Sequence, residues 1–361
     1  MGTCRSSVEE AGTSISLSRS HFHFLFIMAK GGFGKVWRVR HKSTKQELAL
    51  KEMNKALILS KHSVSSVLNE RKLLAVLKHP FIVNMQYAFQ DREYLYLVMD
   101  LMMGGDLRFH LNRLGKLTEA HTKFIVACTL TGLEYLHINS VLHRDIKPEN
   151  LIIDSKGYVR ITDFGIARLM KSNNAGETSG TPGYMAPEVI CHQNHTIAVD
   201  YFALGVIVYE CMTGRRPYVG KSRSEIRDAI IAKQVQLRKQ DIPEGWSLEA
   251  ADFINKLLQR KHTNRLGYNG PHEVRNHAWL RDVDWQKIFK KGIEPPFRPE
   301  GVENYDHYLG EGSTDEALQL DTGQLDEPQV VSLFTGYFFD TQCRAAVKTG
   351  DNIDPTVSAN L

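Results

Sequence analysis

The apolar residues of this chain change their spacing along its length, and each change marks an element. From His21 they alternate: Phe22, Phe24 and Phe26 fall two apart, on one face of a strand. Residues 36–40 read as a second strand and 47–51 as a third, with Gly31, Gly32 and Gly34 clustered between the first two. Over 63–77 the spacing becomes helical, with Glu70 polar amid apolar Val67, Leu74 and Leu77. This helix should end before His79-Pro80, because proline pushes the residue before it out of helical geometry. Strands are expected near 84–90 and 94–100; 94–99 is apolar throughout and so buried. Helices then predominate. Residues 118–137 have core spacing at Phe124, Leu130, Leu133 and Leu136, and 202–212 is nearly all apolar, as in a buried helix. Residues 1–20, rich in Ser, Thr and Gly, lack an apolar period and are expected to be disordered.

At 361 residues the chain is too long for one small core and suits two lobes with extensions. The net charge of +4 is too mild to argue for a nucleic-acid partner. It is unevenly spread: residues 301–361 hold eleven Asp/Glu against two Lys/Arg. The five cysteines, at 4, 128, 191, 211 and 343, lack metal-binding spacing. Cys128 and Cys211 lie in apolar runs as core thiols, which points to a reducing compartment. The longest apolar stretch, 201–212, is too short to cross a bilayer, and no secretory signal follows Met1. Met1-Gly2-Thr3-Cys4-Arg5-Ser6 fits the N-myristoylation pattern, and Cys4 offers a palmitoylation site. One myristoyl chain binds membranes marginally, so the second acyl chain matters. The expected location is cytoplasmic, with membrane association through these lipids, and the expected state is a monomer.

The chemistry concentrates in His143-Arg144-Asp145-Ile146-Lys147-Pro148-Glu149-Asn150, between apolar runs at 133–142 and 151–153. Asp163-Phe164-Gly165 follows eighteen residues after Asp145. Asn150 and Asp163 are hard oxygen ligands suited to magnesium, and Asp145 is a carboxylate that can take a proton from an attacking hydroxyl. That combination suits phosphoryl transfer. These two motifs resemble the catalytic core of the eukaryotic protein kinases.

The resemblance implies an α+β, bilobal protein-kinase fold: a small β-rich N-lobe with one main helix (21–102) and a larger, mostly helical C-lobe (103–280). It implies ATP and Mg2+ as cofactors, with Mn2+ as a substitute, and protein substrates. Ala29-Lys30-Gly31-Gly32-Phe33-Gly34 matches the glycine-rich turn over the ATP phosphates, where small residues let backbone N–H groups approach the phosphate oxygens. The usual first glycine is Ala29 here. Lys51 matches the strand lysine of the α- and β-phosphates and Glu70 its helix partner. Asp100, Leu101 and Met102 match the hinge that bonds adenine, with Met99 guarding the back pocket. Val36, Ala49, Ile152 and Glu149 complete the implied nucleotide contacts. Asp106 stands where related kinases touch ribose or a basic substrate side chain, or equally at a helix N-cap. Lys147 would steady the γ-phosphate. Asp200 would anchor the catalytic loop, with Phe202 where the family commonly has Trp. Arg265 would pair with Glu188. A dinucleotide enzyme is excluded, because the glycines sit in a hairpin rather than between a strand and a long helix. The competing reading is a pseudokinase scaffold, supported only by Ala29.

Lys147 and Gly180-Thr181-Pro182 resemble serine/threonine kinases. Asn264-Arg265-Leu266-Gly267, His277-Ala278-Trp279-Leu280 and Pro295-Pro296-Phe297-Arg298-Pro299 resemble the AGC group, which implies a C-terminal tail, here 281–361, acidic and partly disordered. Lys51-Glu52-Met53-Asn54-Lys55, Gly105-Asp106-Leu107-Arg108-Phe109-His110-Leu111, Ala198-Val199-Asp200 and Gly214-Arg215-Arg216-Pro217-Tyr218 resemble the YANK-type kinases. Two departures concern regulation. Four residues before Thr181, where the group carries a phosphorylated threonine, stands Glu177, expected to pair with Arg144. In Phe334-Thr335-Gly336-Tyr337-Phe338-Phe339, which resembles the tail motif that fills a small-lobe groove, the usual phosphate acceptor is Phe338.

Overall fold

The computed structural model describes residues 17–299 and 322–341. The lipidation pattern at Gly2 and Cys4, most of the expected disordered start and most of the acidic tail lie outside them. Strands β1 (Phe22–Gly31), β2 (Gly34–His41) and β3 (Glu47–Asn54) lead into helices α1 (Lys55–Ser60) and α2 (Val64–Val76). Then come β4 (Met85–Gln90) and β5 (Tyr94–Asp100). Helices α3 (Leu107–Leu114) and α4 (Glu119–Ile138) precede short strands β6 (Val141–Leu142), β7 (Leu151–Ile153), β8 (Val159–Ile161) and β9 (Arg168–Leu169). After these lie α5 (Pro187–Ile190), α6 (Ala198–Thr213), α7 (Arg223–Ala232), α8 (Leu248–Leu257), α9 (Pro271–Arg275) and α10 (Trp285–Phe289). Helix α11 (Pro328–Phe334) and strand β10 (Phe339–Asp340) close the described chain.

The large sheet runs β1-β2-β3-β5-β4-β10. Cross-strand partners share a face, and its two faces carry different cores. Val39, Leu48, Leu50, Tyr96 and Val98 face outward in a small cluster with Phe22, Tyr87 and Phe89. Met53, Leu95, Leu97 and Met99 face inward and join the main core, which continues through α2, α4, α6 and α8. The expectation that Phe22, Phe24 and Phe26 share a face is corrected. Phe24 pairs with Val39 but Phe26 with the next residue back, Arg38. The extra residue, Leu25, forms a bulge, so Phe26 turns to the opposite face from Phe22 and Phe24. The apolar count along one strand could not register an inserted residue.

Helix α6 begins at Ala198, earlier than its apolar run suggests, and takes in buried Asp200. Phe202 packs against Tyr218 with ring centroids 6.0 Å apart and beneath the Arg265 guanidinium. Arg265 and Glu188 are both buried, with Arg265 Nη2 donating to Glu188 Oε2 at 2.9 Å. Residues 293–299 lie against the helical lobe. Gly157, at φ +101°, sits where a Cβ would meet Phe297 O at 2.3 Å, so only glycine permits that approach. Cys128 and Cys211 are buried free thiols, pushed up to about 12 by burial. Among the described residues, no helix is long and apolar enough to cross a membrane.

Candidate active site

The inward face of the sheet forms one wall of the cleft. In its register Ala29 stands beside Val36, Val36 beside Lys51, and Ala49 beside Met99. Gly31 pairs with Gly34, so Gly32 and Phe33 form the hairpin tip. Lys61 Nζ donates to Gly32 O at 2.6 Å and lies over the Phe33 ring, tying the tip to the end of α1. Gly34 cannot carry a side chain, because a Cβ would stand 2.0 Å from Glu52 O. Lys30 is exposed and Ala29 half-buried. Gly31, Gly34, Val36, Lys51, Glu70 and Asp163 border a cavity of about 220 Å³.

Lys51 Nζ donates to Glu70 Oε1 and Oε2 at 3.0 and 2.9 Å. Burial pulls the lysine down, but the Glu70 and Asp163 carboxylates more than reverse this and hold it above its ordinary value. The adjacent residue Asn69 donates to Ala167 O at 2.8 Å. Helix α2 is thereby fastened both to β3 and to the segment after Asp163.

The catalytic loop is suspended from α6. Asp200 accepts from His143 N at 3.0 Å and Arg144 N at 2.8 Å, and hydrogen bonds His137 Nε2 at 2.9 Å. Burial pushes this carboxyl up, and those partners outweigh it, leaving it below the usual range. Arg144 and Asp163 take φ +68° and +64°, conformations L residues rarely adopt. The framework around them sustains both: Phe164 is buried against His143, with ring centroids 5.2 Å apart.

Asp145 is buried at the centre of a polar cluster. Its Oδ1 accepts from Thr181 Oγ1 at 2.6 Å and Thr181 N at 3.1 Å. Its Oδ2 accepts from Lys147 Nζ at 2.6 Å and Asn150 Nδ2 at 3.1 Å. Asn150 Nδ2 also donates to Asp145 O at 2.9 Å, which fixes the amide and leaves its oxygen as a hard ligand atom. Asp163 accepts from Gly165 N at 3.2 Å. Burial would raise its pKa, but Lys51, that N–H, His143 and Lys147 hold it low and ionised. An amide oxygen and an ionised carboxylate suit a divalent cation, so these residues fit the expected metal.

Met99 and Met102 are buried at the back of the site, with Ala49, and Ile152 is half-buried. The Asp100 carboxylate faces another way: it accepts from Asn84, from Gln86 Nε2 at 2.7 Å and from Arg160 Nη1 at 2.7 Å. Asp106 is the N-cap of α3, accepting from Phe109 N at 2.8 Å, so the capping alternative describes its carboxylate here. The Glu149 carboxylate accepts from Arg108 Nε at 3.0 Å, so any nucleotide contact there falls to its backbone.

Glu177 meets Arg144 as the sequence suggests, Oε2 lying 2.7 Å from Nη1, and Lys171 Nζ approaches Oε1 at 3.1 Å. The tail motif docks on the small lobe. Phe334 and Tyr337 are buried while Phe338 is exposed. Gln90 Nε2 donates to Phe334 O at 2.7 Å, and Arg71 donates to Gly336 O and Phe338 O. Strand β10 pairs antiparallel with β4. The pairings of Arg71 and Arg108 carry no sequence signal, because their partners are distant in the chain; Lys171 reaches Glu177 six residues on, in a stretch without regular spacing.

The protein kinase domain family matches residues 22–280. A probable serine/threonine-protein kinase of Dictyostelium discoideum is 40% identical over 301 residues, 81% of this chain and 65% of that one. The serine/threonine-protein kinase YPK2/YKR2 of Saccharomyces cerevisiae is 40% identical over 285 residues, 78% of this chain and 41% of that one. The serine/threonine-protein kinase Sgk1 of Gallus gallus is 38% identical over 312 residues, 84% and 71% of the two chains. The chain thus spans less than two thirds of the first two relatives. With the cleft, the loop and these similarities in hand, the chain belongs to the protein kinase family, in its AGC-type serine/threonine branch.

Proposed function

We propose that this chain transfers the γ-phosphoryl group of ATP to serine or threonine hydroxyls of protein substrates. The observation that carries the reading is the Asp145 cluster. One carboxylate oxygen bonds Thr181, and the other bonds Lys147 and Asn150, within the lobe facing the glycine hairpin and Lys51. Asp145 orients the acceptor hydroxyl and takes its proton as the oxygen attacks the γ-phosphorus; the bond to the β–γ bridging oxygen breaks and ADP leaves. Lys147 steadies the γ-phosphate, and Thr181 shapes the acceptor pocket. Lys51, held by Glu70, positions the α- and β-phosphates. Asn150 and Asp163 would hold Mg2+, with Mn2+ as a substitute, which neutralises phosphate charge. Ala29, Gly31 and Gly34 cover the phosphates; Val36, Ala49, Met99, Met102 and Ile152 enclose adenine against the hinge. Positioning and electrostatics supply most of the rate.

The kinase unit is read as 21–280, with its lobes meeting near 102–103, followed by an AGC-type tail. Within that group we favour the YANK-type kinases on the motifs around Lys51, Asp106, Asp200 and Arg215. Gly2 myristoylation with Cys4 palmitoylation would bring the protein to membranes; a free or acetylated terminus in mass analysis of native protein rejects this. The catalytic reading is tested with labelled ATP, Mg2+ and a degenerate Ser/Thr peptide library, beside Asp145→Asn. Transfer lost in the variant is expected. A chain that binds nucleotide yet transfers nothing is instead a scaffold.

A further inference from the structure

Two carboxylates on elements linked to the catalytic loop are already taken by the chain itself. Glu149 lies four residues after Asp145, and Tyr184 three after Thr181, so both belong to segments that bracket the catalytic carboxylate. Tyr184 OH donates to Glu210 Oε2 at 3.0 Å, which brings α6 into the same patch. Glu149 and Glu210 together are the kind of paired acidic site that holds a guanidinium on a substrate.

Arg108, in the first turn of α3, fills that place. Its Nη1 and Nη2 donate to Glu210 Oε1 and Oε2 at 2.8 and 3.0 Å, its Nε to Glu149 Oε1 at 3.0 Å, and Nη2 also to Tyr184 OH at 2.6 Å. This is the two-pronged Arg–carboxylate geometry, with the third donor used as well. The contact is sheltered: the Glu210 side chain is 9% exposed and that of Arg108 22%. Helix α3 presents the arginine from a fixed base, since Asp106 caps that turn. A second cation lies beside the residue before Tyr184, with Arg216 Nη1 3.3 Å from where a Cβ on Gly183 would be.

We propose that Arg108 is a specificity-determining residue: it occupies the Glu149–Glu210 pair in place of a substrate's basic side chain, so that the favoured acceptors are peptides without Arg or Lys beside the phosphorylated hydroxyl on that side. This inference rests on the kinase reading above. A basic side chain entering the patch must displace a formed ion pair and meets like charge; a neutral or acidic one does neither.

The experiment is steady-state kinetics of the full chain on serine peptides that carry Arg or Ala at each of the five positions before the acceptor. For the unmodified chain the Arg/Ala ratio of kcat/KM should stay near one at every position. In Arg108→Ala the ratio should rise about tenfold at one position, through KM, the scale of a charge-assisted hydrogen bond recovered by the substrate. Adding Glu149→Gln and Glu210→Gln to that variant should remove the gain. If Arg108→Ala does not fold, Glu149→Gln alone decides: its ratio should match the unmodified chain, and a fall shows that Glu149 already reads the substrate. Strong selection for Arg by the unmodified chain, or no gain in a folded Arg108→Ala, overturns the inference while leaving the kinase reading intact. No transfer to any peptide by a chain that binds ATP overturns both.

Discussion

Two carboxylates hold Arg144, and they do so differently. Asp200 is 1% exposed and takes the backbone N–H of Arg144 together with that of His143. Glu177, whose side chain is 29% exposed, takes the guanidinium from a segment of mixed turns. The first contact is inside the main core and cannot be altered without leaving buried donors unpaired. The second joins a half-buried carboxylate to a buried guanidinium that also donates to Ile166 O at 2.9 and 2.6 Å, so the arginine stays hydrogen-bonded when the carboxylate is lost. Asp200 therefore builds the loop, and Glu177 sets the position of the segment that carries Thr181. We propose that in that position the carboxylate gives partial activity without a phosphate, carrying about half the charge a phosphate would.

The comparison is broken most sharply from the buried side. Asp200→Ala should lower stability by roughly 3–5 kcal/mol, the cost of orphaning buried partners, and abolish transfer; a thermal melt near that of the unmodified chain would show that the loop stands without its anchor. Next comes the tail. Truncation after Asp326 removes the burial of Phe334 and Tyr337, about 2–3 kcal/mol each, and should lower both melting temperature and activity; retention of both would detach the motif from the site. Glu177→Ala should leave the melt within a few degrees and reduce kcat roughly tenfold, in protein never exposed to an upstream kinase. If Glu177→Ala keeps full activity, or phosphatase abolishes the activity of protein phosphorylated at Thr178, the segment is set by phosphate instead.

A gentler test uses pH. Burial pushes Glu177 up, but Lys171, Arg144 and Arg168 outweigh it and hold its pKa below the ordinary value of 4.5. A carboxylate lowered on folding contributes stability above its unfolded value, lost as pH falls through the folded one. Between pH 5.5 and 7.5 the pair should therefore not titrate, whereas a phosphate, with a second pKa near 6, would. Activity profiles of the unmodified chain and Glu177→Ala should stay parallel across that window. Smallest is Ala29→Gly, expected to lower the ATP KM or leave it unchanged; a large rise in initial-rate measurements would mean that the alanine is adapted to another loop shape.

Much of this was legible because the motifs are short and local. Asp145, Lys147 and Asn150 lie within six residues, so the chain alone brings them together. Glu70 stood out as a polar residue on an apolar helix face, and Lys51 as a cation on an apolar strand. Glu177 was found by counting back from Thr181. The bulge at Leu25 escaped because alternation carries no mark of an inserted residue. Arg108 escaped for a deeper reason: Glu149 and Glu210 are 41 and 102 residues away, and no spacing rule links them. The hinge reading of Asp100 rests on backbone groups, and its carboxylate, like that of Glu149, makes hydrogen bonds that no spacing announced.

The docking of Phe334 and Tyr337 has one more consequence. The tail is part of the same polypeptide as the groove it fills, so its aromatic side chains are present there at an effective concentration of about millimolar. A separate peptide or small molecule of equal intrinsic affinity would have to exceed that level before displacing it. Ligands sought for this groove should therefore be screened against the tail-truncated chain first, where the same affinity is no longer hidden by a tethered competitor.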